Sequence, residues 1–226
     1  MNPKQRAAEA AISFVRDGMI VGLGTGSTAD FFLRALAACL RDGRLRGIRG
    51  IATSRQSEHR ANELGIPLAV LREDCTPDIT VDGADEIGPD LQLIKGLGGA
   101  LLREKMVAQH SKQVIIIADA SKRVDVLGTK SPLPIEVVSF GHEIHIPYFK
   151  RLGAQPVLRK NPDGSIFHTD NGNCIFDCRF PGIPDPAAIE NAILHEAGIV
   201  DCGLFIGVAD VALMADDAGL TRLTRG

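Results

Sequence analysis

Short apolar runs alternating with helical patterns constrain this chain more than any other feature of its sequence. MIVGL (19–23) leads into a glycine turn and then a helical pattern carrying Phe31, Phe32, Ala35, Leu36 and Cys39. RGIA (49–52) precedes the polar helical segment SRQSEHRANEL, which Gly65 closes. PLAV (67–70), DITV (78–81) and QVIIIAD (113–119) read as further buried strands, with a helix from about Ala100 to His110 before the last of them. At the N-terminus, Asn2 as cap and Pro3 at the first helical position predict an amphipathic helix with Ala7, Ala8, Ala11, Ile12 and Val15 on one face. Alternating βα units of this kind imply an α/β fold, a doubly wound and mainly parallel Rossmann-like sheet.

Beyond about Gly128 the pattern changes to β-α-β-β-β-α. PLPIEVV is followed by a helix near 142–152 ended by Gly153, strands near 156–159, 166–169 and 174–180, and a helix from Pro186 to Ala197. The turn signals NPDG and DNGN between strands predict a small antiparallel α+β (ferredoxin-like) subdomain over about 129–202. The tail GLFIGVADVALMAD has strand composition and can return to the first sheet. The Rossmann-like domain is therefore expected to comprise 1–128 plus about 203–226.

Composition narrows the function classes. A net charge of -3 gives no basic field for a polyanion, and 4% aromatics with no Trp gives no stacking platform for single strands. No nucleic-acid partner is expected. No apolar run reaches membrane-spanning length, and the charged N-terminal segment lacks the apolar stretch of a signal peptide. The expectation is a cytoplasmic protein without a membrane partner, its five scattered cysteines reduced and mostly buried.

Four chemically loaded segments fall at strand ends, where ligands bind in open parallel sheets. GLGTGSTAD (22–30) is glycine-rich and opens a helix, so its backbone N–H groups suit an anion. It matches neither the dinucleotide fingerprint, since Ser27 stands at the third glycine, nor the P-loop, which needs Gly-Lys-Ser/Thr. A phosphate held by Thr25, Gly26, Ser27 and Thr28 is the functional reading; an N-cap turn is the plain one. DGADE (82–86) admits a turn cap, a Mg²⁺ site, or acid–base work on sugar hydroxyls, with Glu86 a solvated or structural charge.

KGLGGALLREK (95–105) places glycines before a helix, where free N–H groups can cradle a developing oxyanion and Lys95 adds a full positive charge. Glu104 in that helix is either a surface residue or ion-pair partner, or a base for a proton α to a carbonyl. In ADASKRVDVLG, Lys122 is either solvated or a phosphate contact. The histidines form no convincing arrangement: HEIH (142–145) lacks zinc-protease spacing, and no Gly-x-Ser-x-Gly elbow is present.

GLGTGSTA, TSRQSE, VDGADEI, IKGLGGALLREK and IADASKRVDVLG resemble, in this order, the motifs of the type A ribose-5-phosphate isomerases, as do LPIEVV, TDNGN and GLF. The resemblance spans nearly the whole chain. It implies an aldose–ketose isomerase of the non-oxidative pentose phosphate pathway, interconverting ribose 5-phosphate and ribulose 5-phosphate through a cis-enediolate. It also implies a small-molecule sugar phosphate as partner, neither metal nor organic cofactor, and a homodimer or homotetramer. By position, Glu104 is similar to the family's base and Asp82 to the acid of ring opening and oxygen proton transfer. Gly83, Ala84 and Asp85 match its substrate-binding neighbours. Lys95 with Gly96, Leu97 and Gly98 corresponds to the oxyanion cradle, Thr25 to Thr28 to the phosphate and substrate loop, and Lys122 to a substrate-binding lysine. Lys4 is the candidate for an N-terminal phosphate contact.

One departure stands out. Family members usually carry glycine where Leu97 stands, and leucine adopts positive φ only at a cost. A positive φ at Leu97 would reshape the cradle; a negative one would leave it intact. The rival readings are a sugar-phosphate sensor domain, a nucleotide-binding dehydrogenase, and an isomerase retuned by Leu97 to another phosphorylated sugar. Asp82, Lys95 and Glu104 together favour an enzyme over a sensor.

Overall fold

The computed structural model describes residues 2–225. The chain forms two compact units. The first takes the chain up to Ala84, Arg103–Lys122 and the segment from Gly207 onward; the second takes Asp85–Leu102 and Arg123–Ile206. In chain order the first unit begins with α1 (Pro3–Ala11), β1 (Ile20–Leu23), α2 (Ser27–Arg41), β2 (Arg49–Ala52), α3 (Arg55–Glu63) and β3 (Ile79–Asp82). β4 (Glu86–Ile87) and β5 (Leu93–Ile94) belong to the second unit, and the chain returns to the first within α4 (Leu101–Gln109), which leads to β6 (Val114–Asp119). β7 (Leu133–Val137), α5 (Ile146–Arg151), β8 (Gln155–Leu158), β9 (Cys174–Arg179), α6 (Pro186–Leu194), β10 (Ile199–Cys202) and β11 (Leu204–Phe205) complete the second unit. β12 (Val211–Ala215) and β13 (Leu220–Thr224) close the first.

The first unit is built on a six-stranded sheet of order β13-β12-β6-β3-β1-β2, parallel except for the antiparallel edge strand β13. Its strands read as continuous apolar runs because they are buried; Val21, Leu23, Ile79, Val81, Ile115 and Ile117 join Ala7, Ala8, Phe32 and Leu36 of α1 and α2 in one core. Each fully buried Leu, Ile or Phe there contributes about 1.5–3 kcal/mol relative to exposure. α1 starts as its sequence indicates, with the Asn2 side chain accepting from Lys4 N and Pro3 at the first helical position. Strand order reverses between β1 and β3, since β2 lies on one side of β1 and β3 on the other. Ligands of open α/β sheets bind beyond the carboxyl ends of such a strand pair.

The second unit carries a four-stranded antiparallel sheet of order β10-β7-β9-β8. Ile135, Phe149, Phe176, Ile193 and the thiols of Cys174, Cys178 and Cys202 fill its core. Burial pushes the Cys178 thiol far above its ordinary value, with the Asp177 charge adding to the effect, so this cysteine is an apolar filler. A second, three-stranded sheet of order β11-β5-β4 lies in the same unit.

Several expectations need correction. PLAV is not a strand: Gly50 N and Ala69 N make two hydrogen bonds around Leu68, and Val70 turns out to solvent at 65% exposure. Residues 166–169 pair only once, Ile166 with Lys160, because Thr169 turns to bond Glu136 and Asn173. The helix near 142–152 divides into a 3-10 turn (His142–His145) and α5, and the last helix ends at Leu194. The division of the chain also differs from a boundary at Gly128. Asp85–Leu102 and residues 203–206 fall in the second unit, since β5 pairs with β4 and β11.

Candidate functional site

In the first unit the carboxyl ends of β1 and β3 meet. Gly24 N donates to Val81 O, and a Cβ at Gly24 would lie 2.2 Å from Asp82 Oδ1, so only glycine leaves room for this carboxylate. Asp82 is 2% exposed, and its Oδ1 accepts from Thr25 N (3.1 Å) and Gly83 N (2.7 Å). The Thr25 hydroxyl bonds Thr53 Oγ1 and Ser54 Oγ, both at 2.8 Å, which ties the loop to the capping box at the start of α3. Gly26, at φ +103°, is the N-cap of α2 and leaves that helix start without a side-chain cap. Ser27 and Thr28 form its first turn, and Lys4 Nζ reaches Ser27 Oγ at 3.0 Å. Uncapped N–H groups beside a lysine ammonium have the chemistry that suits an anion.

Glu104 is 4% exposed on α4, so the surface reading of this residue fails. α4 approaches the sheet at Gly22, where a Cβ would meet Val107 at 3.0 Å and Thr80 Oγ1 at 1.9 Å. Lys122 ends the 3-10 turn Ala120–Lys122 directly after β6 and is half-buried. Asp119 organises that turn by accepting from Ser121 N and the Ser121 hydroxyl. A cavity of about 440 Å³ opens along the outer side of the glycine loop, bordered by Gly26, Ser27, Asp30, Gln56, His59 and Arg60. Its charge is already matched: burial works against the Asp30 carboxylate, but hydrogen bonds from Arg60 and Arg34 outweigh it and hold the carboxyl below the usual range. Gly24, Gly26 and Ser27 of the glycine loop line this cavity, whereas Asp82 and Thr25 do not.

In the second unit, Lys95 is 3% exposed and its ammonium lies 5.4 Å from the centre of the Phe205 ring. Its backbone is pinned by Gly203: Lys95 N donates to Gly203 O at 2.9 Å, and a Cβ at Gly203 would stand 2.2 Å from Lys95 O. The loop that follows bends at Gly96 (φ +103°) and Gly99 (φ +82°), packed by Leu101 and Phe167 respectively. Asp85 Oδ2 accepts the N–H of Leu97 at 3.0 Å, so this donor is spent on holding the loop. Leu97 and Gly98 are exposed, and no acceptor among the described residues takes the Gly98 N–H.

A family model of ribose 5-phosphate isomerase A (phosphoriboisomerase A) matches residues 49–219. Ribose-5-phosphate isomerase A of Roseiflexus castenholzii is 51% identical over 220 residues, covering 97% of this chain and 94% of the relative. The chain belongs to this family. The ribose 5-phosphate isomerase of Plasmodium falciparum superposes with a TM-score of 0.94 at 39% identity over 99% of both chains. A D-ribose-5-phosphate isomerase in complex with phospho-erythronic acid gives 0.96 at 37% identity over 100% of both.

Set against the family's chemistry, the four segments separate into two constellations. Thr25, Gly26, Ser27, Thr28, Asp82, Gly83, Ala84, Glu104 and Lys122 lie in the first unit; Asp85, Lys95, Gly96, Leu97 and Gly98 lie in the second. Glu86 belongs to neither and is structural. Fully buried, it accepts from Gly128 N (2.6 Å), Lys130 N (2.7 Å) and Ser131 N (2.5 Å), and so is not available to a cation. Among the described residues no group of three or more His, Cys, Asp or Glu is placed to hold a metal ion. The departure at Leu97 resolves simply. Among the described residues, positive φ outside glycine is confined to Asp90 and Leu91, so leucine fits this position without strain.

Residues that sequence reading missed are those that hold the second loop. Arg159 donates to the carbonyls of both Gly96 and Leu97, and Asp177 and Phe167 fix Arg159 in turn. They lie more than sixty residues downstream of the loop, in segments whose only signal is a charge at alternate strand positions. TDNGN and LPIEVV stand out as motifs, but only the structure gives them a task. Buried Glu136 of LPIEV accepts from Thr169 Oγ1 (2.9 Å) and Asn173 Nδ2 (2.8 Å), so the two motifs form a single structural clasp.

Proposed function

We propose that this chain interconverts D-ribose 5-phosphate and D-ribulose 5-phosphate through a cis-enediolate, with Glu104 as the base. Membership of the isomerase family and the sugar-phosphate analogue bound by a relative of 37% identity support the substrate class. Asp82 serves ring opening and the transfer of the hydroxyl proton between O2 and O1. Glu104 takes the proton from C2 of the open aldose; the C–H electrons form the C1–C2 double bond and O1 becomes the oxyanion. The Lys95 ammonium and the Gly98 N–H stabilise that charge, and Glu104 returns the proton to C1. The glycine loop with Ser27, Thr28 and Lys4, together with Lys122, binds the phosphate and the sugar hydroxyls, and Asp85 with Gly83 and Ala84 completes substrate binding.

The observation that carries this reading is the near-complete burial of two carboxylates, Asp82 and Glu104, in a unit whose glycine loop presents an uncapped helix start. Burying an acid is costly, which singles out both carboxylates. We also propose a cytoplasmic homodimer or homotetramer. Five unpaired cysteines suit a reducing compartment, and exposed Phe140 (92%) and Ile144 (70%) suit a protein interface.

The test is turnover of ribose 5-phosphate by EDTA-treated protein, followed as ribulose 5-phosphate, together with Glu104→Gln. Wild-type conversion that disappears in the variant, while phospho-erythronic acid still binds, is the expected result. Conversion by Glu104→Gln at near the wild-type rate would remove the residue from its role.

A further inference from the structure

We infer that Arg159 is a positioning residue of the reaction, orienting and polarising the N–H donors of the Lys95–Gly99 loop through two peptide groups. The inference rests on the reading of that loop as the oxyanion cradle and adds to it the group that sets the donors. Arg159 follows β8, where its N–H extends the pairing with β9 by donating to Ile175 O at 2.8 Å. Its side chain is 12% exposed, so its charge-assisted hydrogen bonds operate largely out of water. Nε and Nη2 grip the Asp177 carboxylate at 2.9 and 2.5 Å, which fixes the plane of the guanidinium. Nη1 then donates to Gly96 O and to Leu97 O, both at 3.1 Å.

The consequence follows from peptide geometry. The Gly96 carbonyl shares its planar unit with the Leu97 N–H, and the Leu97 carbonyl with the Gly98 N–H. Both peptide bonds are trans, so in each planar group the N–H points away from the carbonyl and hence away from Arg159. Two carbonyls converging on one cation therefore turn two successive N–H groups to the opposite side, the geometry of an anion-binding nest. The first of these donors is held by Asp85. The second, at Gly98, is the donor the reaction uses. A carbonyl that accepts from a guanidinium also polarises its own amide, strengthening the N–H as a donor by about 10–30%.

Phe167 supports the same arrangement. The guanidinium lies 5.6 Å from its ring centre, and the ring edge fills the place a Cβ at Gly99 would occupy, 2.5 Å from it. Loop, arginine, aspartate and aromatic ring thus lock one another. A mere surface ion pair would need neither the two carbonyls nor the half-buried ring.

The experiment compares Arg159→Met, Arg159→Lys and Asp177→Asn with wild type, reading kcat and KM for ribose 5-phosphate and Kd for phospho-erythronic acid. That acid's carboxylate spreads charge over two oxygens as an enediolate does. Charge develops on the oxyanion only in the transition state, so Arg159→Met is expected to lower kcat roughly 10- to 100-fold and leave KM nearly unchanged. Kd for the acid should weaken in step with kcat. Lysine, a point charge without the fork, should restore kcat only in part, and Asp177→Asn should fall between. An unchanged kcat in folded Arg159→Met, or a raised KM at unchanged kcat, overturns the inference. If that variant does not fold, Asp177→Asn is read by the same split: a lowered kcat at unchanged KM supports the inference, and an unchanged kcat overturns it. Wild type inert towards ribose 5-phosphate would instead remove the proposed function, which separates the two failures.

Discussion

The two glycine loops of this protein, Gly24–Gly26 after β1 and Gly96–Gly99 after β5, look alike in sequence and are held by different means. In the first, side chains do the anchoring. Asp82 accepts the Thr25 N–H, the Thr25 hydroxyl reaches the start of α3, and glycine at 24 makes room for a carboxylate. What remains for a ligand is the uncapped start of α2. In the second, two carbonyls are anchored by one guanidinium, Asp85 holds the Leu97 N–H, and the Gly98 N–H is what remains. Glycine-rich sequence therefore signals close approach in both places without saying what approaches. One loop suits a ready-made anion such as a phosphate; the other suits a charge that appears only during reaction.

Alanine at Gly24 is the strongest way to break this contrast. The new methyl would lie 2.2 Å from Asp82 Oδ1 and 2.6 Å from Asp82 Cα, and backbone at that distance cannot swing aside. Stability should fall by about 1–3 kcal/mol, the range for overpacking a close-packed interior, and turnover by two orders of magnitude or more as Asp82 is displaced. Thermal unfolding and steady-state kinetics check both parts. A variant with wild-type kcat would show that the position of Asp82 is not what the first loop protects. Gly99→Ala is expected to be milder. Positive φ there costs a non-glycine residue about 1–2 kcal/mol, but the crowding atom is the edge of the Phe167 ring, which can tilt. A drop in kcat of roughly tenfold, at little change in KM, is expected. A change confined to KM would mean that the loop binds substrate rather than the developing oxyanion.

What could be read from the sequence follows the same division. The parallel sheet was legible because its buried strands are continuous apolar runs, and the first loop because its partners, Asp82 and the start of α2, sit at neighbouring strand ends. PLAV misled for a physical reason: its composition is that of a strand, but only Leu68 finds a partner on β2. Glu86 was ambiguous because its three partners, at 128, 130 and 131, are backbone N–H groups and leave no trace in side-chain chemistry. Arg159 was invisible for a related reason. It acts on two carbonyls, and nothing in KGLGG announces a cation more than sixty residues away. Contacts to main-chain atoms are the part of a site that sequence motifs record least.

Leu97→Gly is the smallest change and the sharpest test of that view. If the loop's shape were written in its own sequence, placing glycine at this position should matter. If Arg159 and Asp85 impose the shape from outside, it should not. Leu97 carries no positive φ, its N–H is held by Asp85, its carbonyl by Arg159, and its side chain is 40% exposed. None of these interactions depends on the leucine side chain. Glycine would therefore keep the geometry and add only freedom to the unfolded chain, lowering stability by about 0.5–1 kcal/mol with kcat within about twofold of wild type. A large gain in kcat would show that leucine distorts the cradle in solution. A large loss would show that the side chain itself covers the reacting sugar, and in that case position 97 helps to choose the substrate.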